Sequence, residues 1–217
     1  MNVFGDEVVG YSLTTRKRDY VGGGSFNRHV LVDVIEDGSI SDEAFAVKKK
    51  FFNDLNERGM DDVKISTVRS MGYDDHSPAA VVYPDGVWYE NLDTSDVPDI
   101  IDEHLIEDSP VERLTFEPDL PDDFRHVIVC TFLSQCGPEG GGKALGYLKK
   151  QARETDNIQV TQSYGCLKEC SMGPVCCSYP NGDWYPNVNE SKFESIWEAI
   201  VSESDDSSFS AGRIAED

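Results

Sequence analysis

Six cysteines lie between Cys130 and Cys177, and four of them stand in two pairs. The pairs are Cys130-x5-Cys136 and Cys166-x3-Cys170, with 29 residues between them. A short apolar stretch precedes each pair, and glycines flank it: Gly137, Gly140, Gly141 and Gly142 beside the first, Gly165 and Gly173 beside the second. Four thiolates are soft ligands, suited to zinc or to an iron–sulfur cluster. Structural zinc favours two to four residues between paired cysteines in a compact hairpin, which the first spacing exceeds. A dithiol redox site wants Cys-x-x-Cys at a helix start, and the sequence has none. The residues therefore point to Cys130, Cys136, Cys166 and Cys170 as ligands of an iron–sulfur centre. Glycines beside the sulfurs let backbone N–H groups approach them, which favours the more negative, reduced cluster.

Other residues in the same stretch have plainer readings. Cys176 and Cys177 fall in an apolar strand as small buried side chains, with one of them as the alternative to Cys136 as fourth ligand. Gly137-Pro-Glu-Gly-Gly-Gly142-Lys143-Ala144 nearly spells a phosphate-binding loop. It lacks the Ser or Thr that would hold magnesium, because Ala144 stands there.

Composition bounds the rest. In a chain of 217 residues, Asp and Glu outnumber Lys and Arg by 41 to 19, a formal charge of −22. That balance disfavours nucleic-acid binding through a basic surface. The acids are spread along the whole chain, which fits adaptation to a salt-rich cytoplasm better than steering toward a basic partner. Met1–Asp6 carries an acid where a secretory leader wants bases, and no apolar run reaches the ~18–20 residues of a membrane span. The expectation is a cytoplasmic protein with reduced thiols.

The elements that must position these cysteines occur twice. His29-Val-Leu-Val-Asp33 returns 97 residues later as His126-Val-Ile-Val-Cys130. Tyr83-Pro-Asp-Gly-Val-Trp-Tyr89 returns 96 residues later as Tyr179-Pro-Asn-Gly-Asp-Trp-Tyr185. Two anchors at nearly one offset predict a tandem duplication. Each copy reads β-α-β-β-β-α, an α/β sandwich with two helices on a small mixed sheet. The strands are 29–33, 63–68 and an Asp85-Gly86 hairpin in the first copy. In the second they are 126–130, 158–162 and an Asn181-Gly182 hairpin.

The first helix carries Ala44, Val47, Phe51 and Leu55 on one face, its counterpart Leu145, Leu148 and Ala152. Closing helices are expected from Asp93 and Asn189, both good N-caps. The first and second strands of each copy should be parallel neighbours, so the two cysteine loops would meet at one sheet edge. The division is an N-terminal arm over 1–25, a cysteine-free copy over 26–106, an acidic Pro-containing linker over 107–123, a cysteine-bearing copy over 124–202 and a disordered acidic tail over 203–217. In the first copy Asp33 stands where Cys130 does. Asp33, Asp74, Asp75 and His76 form a candidate hard-metal set there, against the simpler reading of a copy kept for packing.

The second copy resembles the thioredoxin-like, Shethna-type [2Fe–2S] ferredoxins, which are related to a small subunit of respiratory complex I. The resemblance rests on His126-Val-Ile-Val-Cys130, on Gly165-Cys166-x3-Cys170-x2-Gly173-Pro174 and on Tyr179-Pro-Asn-Gly-Asp-Trp-Tyr185. It implies a single [2Fe–2S] cluster on Cys130, Cys136, Cys166 and Cys170, no catalytic residues, and one-electron exchange with redox partner proteins. It also implies that the cysteine-free copy replaces the second subunit of a homodimer, giving a homodimer or an intrachain pseudo-dimer. The Cys130–Cys136 gap is shorter than in the Shethna proteins and nearer the complex I pattern. The alternative function is a non-redox docking or accessory module of an oxidoreductase or metal-chelatase system, with a cluster or zinc as a staple.

Overall fold

The computed structural model describes residues 11–12, 26–36 and 38–202, so most of the expected N-terminal arm and all of the expected tail lie outside the described residues. A short strand β1 (Tyr11–Ser12) precedes the first half. That half opens with β2 (Arg28–Asp33) and a small hairpin of β3 (Ile35–Glu36) and β4 (Ser39–Ile40). Helix α1 (Asp42–Glu57) follows, started by Ser41, whose hydroxyl accepts the Ala44 N–H at 3.2 Å. Its buried stripe holds Ala44, Val47, Phe51 and Leu55, as the spacing predicts. After β5 (Val63–Arg69), a hairpin of β6 (Ala80–Tyr83) and β7 (Val87–Tyr89) turns at Gly86, whose φ of 70° favours glycine.

The closing helix does not begin at Asp93. Helix α2 (Val97–Asp99) starts four residues later and continues in π geometry over Ile100–Ile106. The Asp93 carboxylate accepts the Ser95 N–H and hydroxyl instead, so the cap is used by a turn ahead of the helix. The segment expected as a linker carries a strand, β8 (Thr115–Phe116), and buries Val111 and Leu114.

The second half repeats the order with β9 (Arg125–Val129), a π-turn over Gly137–Gly141, α3 (Gly142–Ala152), β10 (Ile158–Ser163), β11 (Cys176–Tyr179), β12 (Asp183–Tyr185) and α4 (Phe193–Ser202). Asn189 likewise caps a turn ahead of the closing helix, the 3-10 turn Glu190–Lys192, its side chain accepting the Ser191 N–H at 3.1 Å, and α4 starts four residues after it. On α3 the buried residues are Ala144 and Leu148, so the stripe is rotated from the expected one, and Leu145 and Ala152 sit at its half-buried margin.

One ten-stranded sheet contains both halves, in the order β1-β12-β11-β9-β10-β5-β2-β6-β7-β8. The order is palindromic: β2 pairs β5 in parallel and β6 antiparallel, and β9 does the same with β10 and β11. Only two residue pairs, Gln162↔Arg69 and Ser163↔Val68, join the halves through β10 and β5. Side chains alternate across each strand. One set of faces packs under the helices, with Val30, Val32, Ala80 and Val82 in the first half and Val127, Val129 and Cys176 in the second. The opposite faces pack on each other, Leu31, Val81, Tyr83 and Trp88 against Ile128, Cys177, Tyr179 and Trp184. Among the described residues no helix is long and apolar enough to cross a membrane.

The inter-half core is crossed by two reciprocal polar pairs. His29 Nδ1 lies 2.5 Å from the Tyr179 hydroxyl, and the Tyr83 hydroxyl 3.1 Å from His126 Nδ1. The two tyrosine rings stack at 4.3 Å. Both histidines were expected to be structural, and both are fully buried. Burial brings the His126 imidazole down to about 3, and it lowers His29 in the same direction, aided by Lys64. In the unfolded chain both would take a proton near pH 6.5. The folded values lie below the unfolded ones, so the unfolded state gains protons first as pH falls. Stability should be full above about pH 6.5 and decline toward acid, by up to about 1.4 kcal/mol per pH unit for each histidine. Denaturant midpoints at pH 7 and pH 5 measure this, and an H29Q/H126Q variant should show a flatter dependence.

Candidate metal centre

Parallel pairing of β9 and β10 ends both strands at one edge, and the two cysteine loops leave from there. Cys130 directly follows β9, its N–H donating to the Val175 carbonyl at 3.0 Å. The loop then turns tightly, with the N–H groups of Gln135 and Gly137 both donating to the Phe132 carbonyl. Cys136 stands at the start of the π-turn that leads into α3. A side chain at Gly141 would run into the carbonyl oxygens of Cys130 and Cys136, so the chain closes over itself only with glycine there. Gly173, beyond Cys170, brings the second loop against the first: a Cβ on it would lie 3.0 Å from Cys136 Sγ. Cys166 Sγ and Cys170 Sγ are 3.5 Å apart.

The sulfurs are surrounded by donors. The Lys168 N–H, on a residue held at a φ of 60°, donates to Cys166 Sγ at 3.1 Å. The Cys136 thiol, and after it the Leu167 and Phe132 N–H groups and the Ser163 hydroxyl, bring Cys130 down to about 5 against its burial. Cys136 is pushed up as the donor in that thiol pair and by burial, while the Val175 N–H acts in the opposite direction. Burial first, then the neighbouring sulfurs of Cys170 and Cys130, raise Cys166 to about 11. The Cys130, Cys136 and Cys166 sulfurs are thus within electrostatic reach of one another and Cys170 joins them through Cys166, although among the described residues no three of them close on a single metal-ion position. Cys130 and Cys136 are buried, Cys166 is half-buried and Cys170 is exposed. Four thiols in two pairs, met by backbone donors, fit a binuclear iron–sulfur cluster by their chemistry. Cys176 and Cys177 are buried in β11, the first under the helices and the second on the face that packs between the two halves, as their strand position predicts.

The expected hard-metal set of the first half does not assemble. Asp33 accepts the backbone N–H groups of Ile35, Ser70 and Met71. His76 Nδ1 meets Glu90 Oε2 at 2.5 Å, and its ring stacks on Phe116 at 4.2 Å. Among the described residues no three His, Cys, Asp or Glu side chains gather closely enough for one metal ion. The comparison with Cys130 is informative. Asp33 accepts the N–H two residues ahead, Ile35, and one from the loop after the second strand, Met71, and the matching N–H groups of Phe132 and Leu167 favour the ionised form of Cys130. A carboxylate occupies in one half the donor nest that a thiolate occupies in the other.

Sequence reasoning missed two residues at this site. Glu169, between Cys166 and Cys170, is 2% exposed and pairs with Lys64 of β5 at 2.7 Å. The only local signal was an acid inside a ligand loop, which is unremarkable in so acidic a chain.

No family model matches the chain. A ferredoxin, 2Fe-2S, from Aquifex aeolicus is 48% identical over 44 residues, which is 20% of this chain and 40% of that protein. A ferredoxin, 2Fe-2S, from Clostridium pasteurianum is 31% identical over 75 residues, 34% of this chain and 74% of that protein. Among solved structures, the wild-type thioredoxin-like [2Fe-2S] ferredoxin from Aquifex aeolicus is 29% identical, with a TM-score of 0.39 over 43% of this chain and 99% of that one. Identity above three in ten across three quarters of the Clostridium protein carries the assignment: the chain belongs to the [2Fe–2S] ferredoxins.

Proposed function

We propose that this protein is a one-electron carrier of the thioredoxin-like type that holds a single [2Fe–2S] cluster in its C-terminal half, over 124–202. Cys130, Cys136, Cys166 and Cys170 are its ligands. The observation that carries the reading is the meeting of two cysteine loops at one sheet edge, with backbone N–H groups directed at their sulfurs. Bound there, the cluster supplies a reversible one-electron couple, and no general acid, base or nucleophile is called for. The chain's own residues bury Cys130 and Cys136, shield them with Leu167 and Val175, and leave Cys170 at the surface where an electron can pass to a redox partner. Donors on the sulfurs favour the reduced state by offsetting its added charge.

The same reading takes the chain as a tandem duplication, 26–106 and 124–202 joined by 107–123, with a first copy that has lost its ligands. The palindromic sheet order, the reciprocal His–Tyr pairs and the Asp33–Cys130 correspondence support it. In this reading the first copy takes the place of a second subunit. Anaerobic purification should yield a coloured protein with two irons and two sulfides per chain and a one-electron paramagnetic signal on reduction. A colourless protein with one zinc and no sulfide would sink it and favour the docking-module alternative.

A further inference from the structure

The ligand loop of Cys166–Cys170 lies beside a strip of cations and aromatic rings contributed largely by the cysteine-free half. Arg69 sits over the Tyr164 ring at 5.5 Å, Tyr164 meets Phe45 edge-on at 5.3 Å, and Lys48 lies 5.1 Å from the centre of the Phe52 ring. On the same Phe52 ring, at 5.0 Å, lies Lys168, from between the two cysteines. Phe52 is 37% exposed, and Arg69, Lys168 and Cys170 are exposed.

Three other cations of this region are neutralised. Lys50 pairs with Asp54, Arg58 with Asp102 and Lys64 with Glu169. Arg69, Lys48 and Lys168 rest on aromatic faces with no carboxylate partner among the described residues. In a chain with 41 acids to 19 bases, three such cations beside one loop make a local reversal of sign. A cavity of about 250 Å³ opens in the same place, its apolar wall including Phe52, Leu55, Met60 and Ile65 of the first half and its charged wall Lys168, the paired Lys64 and Glu169, and one acid, Asp61.

We propose that this strip is the docking face for an acidic redox partner protein, whose carboxylates meet Arg69, Lys48 and Lys168 while an apolar side chain enters the cavity. The proposal rests on the electron-carrier reading above and gives the cysteine-free half a part in it. Charge complementarity selects the partner: cations held on aromatic rings are partly desolvated, so a carboxylate gains more from them than from a solvated lysine. The overall charge of −22 opposes an acidic partner at long range, but screening over about 8 Å at physiological salt, and less in a salt-rich cytoplasm, confines the contest to the contact itself.

The test uses the full chain with its cluster, after iron and sulfide analysis, in wild type and in a K48E/R69E variant that leaves the cysteine-bearing half unaltered. The reduced protein gives one electron to hexacyanoferrate(III), which becomes hexacyanoferrate(II), or to the cationic hexaamminecobalt(III). Charge reversal should slow the anionic oxidant roughly tenfold and speed the cationic one. A synthetic acidic peptide, Glu-Glu-Leu-Phe-Glu-Glu, should slow the anionic reaction of wild type and not of the variant. The neutral K48Q/R69Q pair should fall between them, and it stands in if the reversal does not fold. An unchanged ratio of the two rates in a protein with full iron and sulfide overturns the docking face alone. Absence of iron and sulfide overturns the carrier reading and the docking face with it.

Discussion

Replacing Cys136 by alanine should abolish cluster binding, while Cys177→Ala should leave iron and sulfide content unchanged. The two residues compete as fourth ligand in the sequence, and their surroundings separate them. Cys136 Sγ lies in the space where the two cysteine loops touch, close enough to Gly173 that a Cβ there would come within 3.0 Å, and it hydrogen-bonds to Cys130. Cys177 lies in β11, on the sheet face that packs between the two halves, in the cluster that holds Ile128, Tyr179 and Trp184, and not on either cysteine loop. In the C136A protein three thiols would remain, too few for two tetrahedral irons, so the absorption and the paramagnetic signal should both disappear. Cys177→Ala should cost only the packing of one sulfur, on the order of 1 kcal/mol. Intact iron and sulfide in C136A, with loss in C177A, would reassign the ligand.

Lys64→Met should destabilise the protein by about 3–5 kcal/mol, because it leaves the Glu169 carboxylate buried without its cation. Lys64 belongs to the cysteine-free half and Glu169 to the ligand loop, and their side chains are only 12% and 2% exposed. The lysine also lies over the rings of Phe26 at 4.8 Å and Trp184 at 5.1 Å. Glu169 Oε2 has no hydrogen-bond partner among the described residues, so Lys64 on Oε1 is what offsets the charge. Removing both partners as K64M/E169Q should restore most of the loss, since a neutral pair carries little desolvation cost. The same series has an electrical readout. An uncompensated carboxylate inside the ligand loop disfavours adding an electron nearby, so K64M should lower the reduction potential and the double variant should return it. A fall in unfolding midpoint with no change in potential would make the pair a staple and nothing more.

The chain's chemistry was largely legible from local pattern. Spacing and neighbouring glycines singled out Cys130, Cys136, Cys166 and Cys170 as candidates, and the glycine at 141 is one that the turn requires, since a Cβ there would meet the Cys130 and Cys136 carbonyl oxygens. The repeat offset placed β2 with β9 and each hairpin with its twin, since turn chemistry at Asp85-Gly86 and Asn181-Gly182 is set by neighbours in sequence. The α1 stripe was right because four apolar residues at helical spacing admit one arrangement. Asp93 misled because an Asp serves a turn as readily as a helix N-cap, and only the packing of Val97 and Ile100 decided where the helix began.

By itself the sequence determined which residues could hold metal and that they lie on loops following parallel strands. Tertiary structure alone decided what those loops lean on. The Lys64–Glu169 pair joins residues 105 positions apart, and His29–Tyr179 joins residues 150 apart. Such contacts depend on how two sheet faces fit together, and shape complementarity across a core leaves no trace in local spacing. The same packing left Asp33 in a nest of N–H groups instead of a metal site, and set Arg69 and Lys48 of a cysteine-free half against Tyr164 and, across the Phe52 ring, Lys168 of the other.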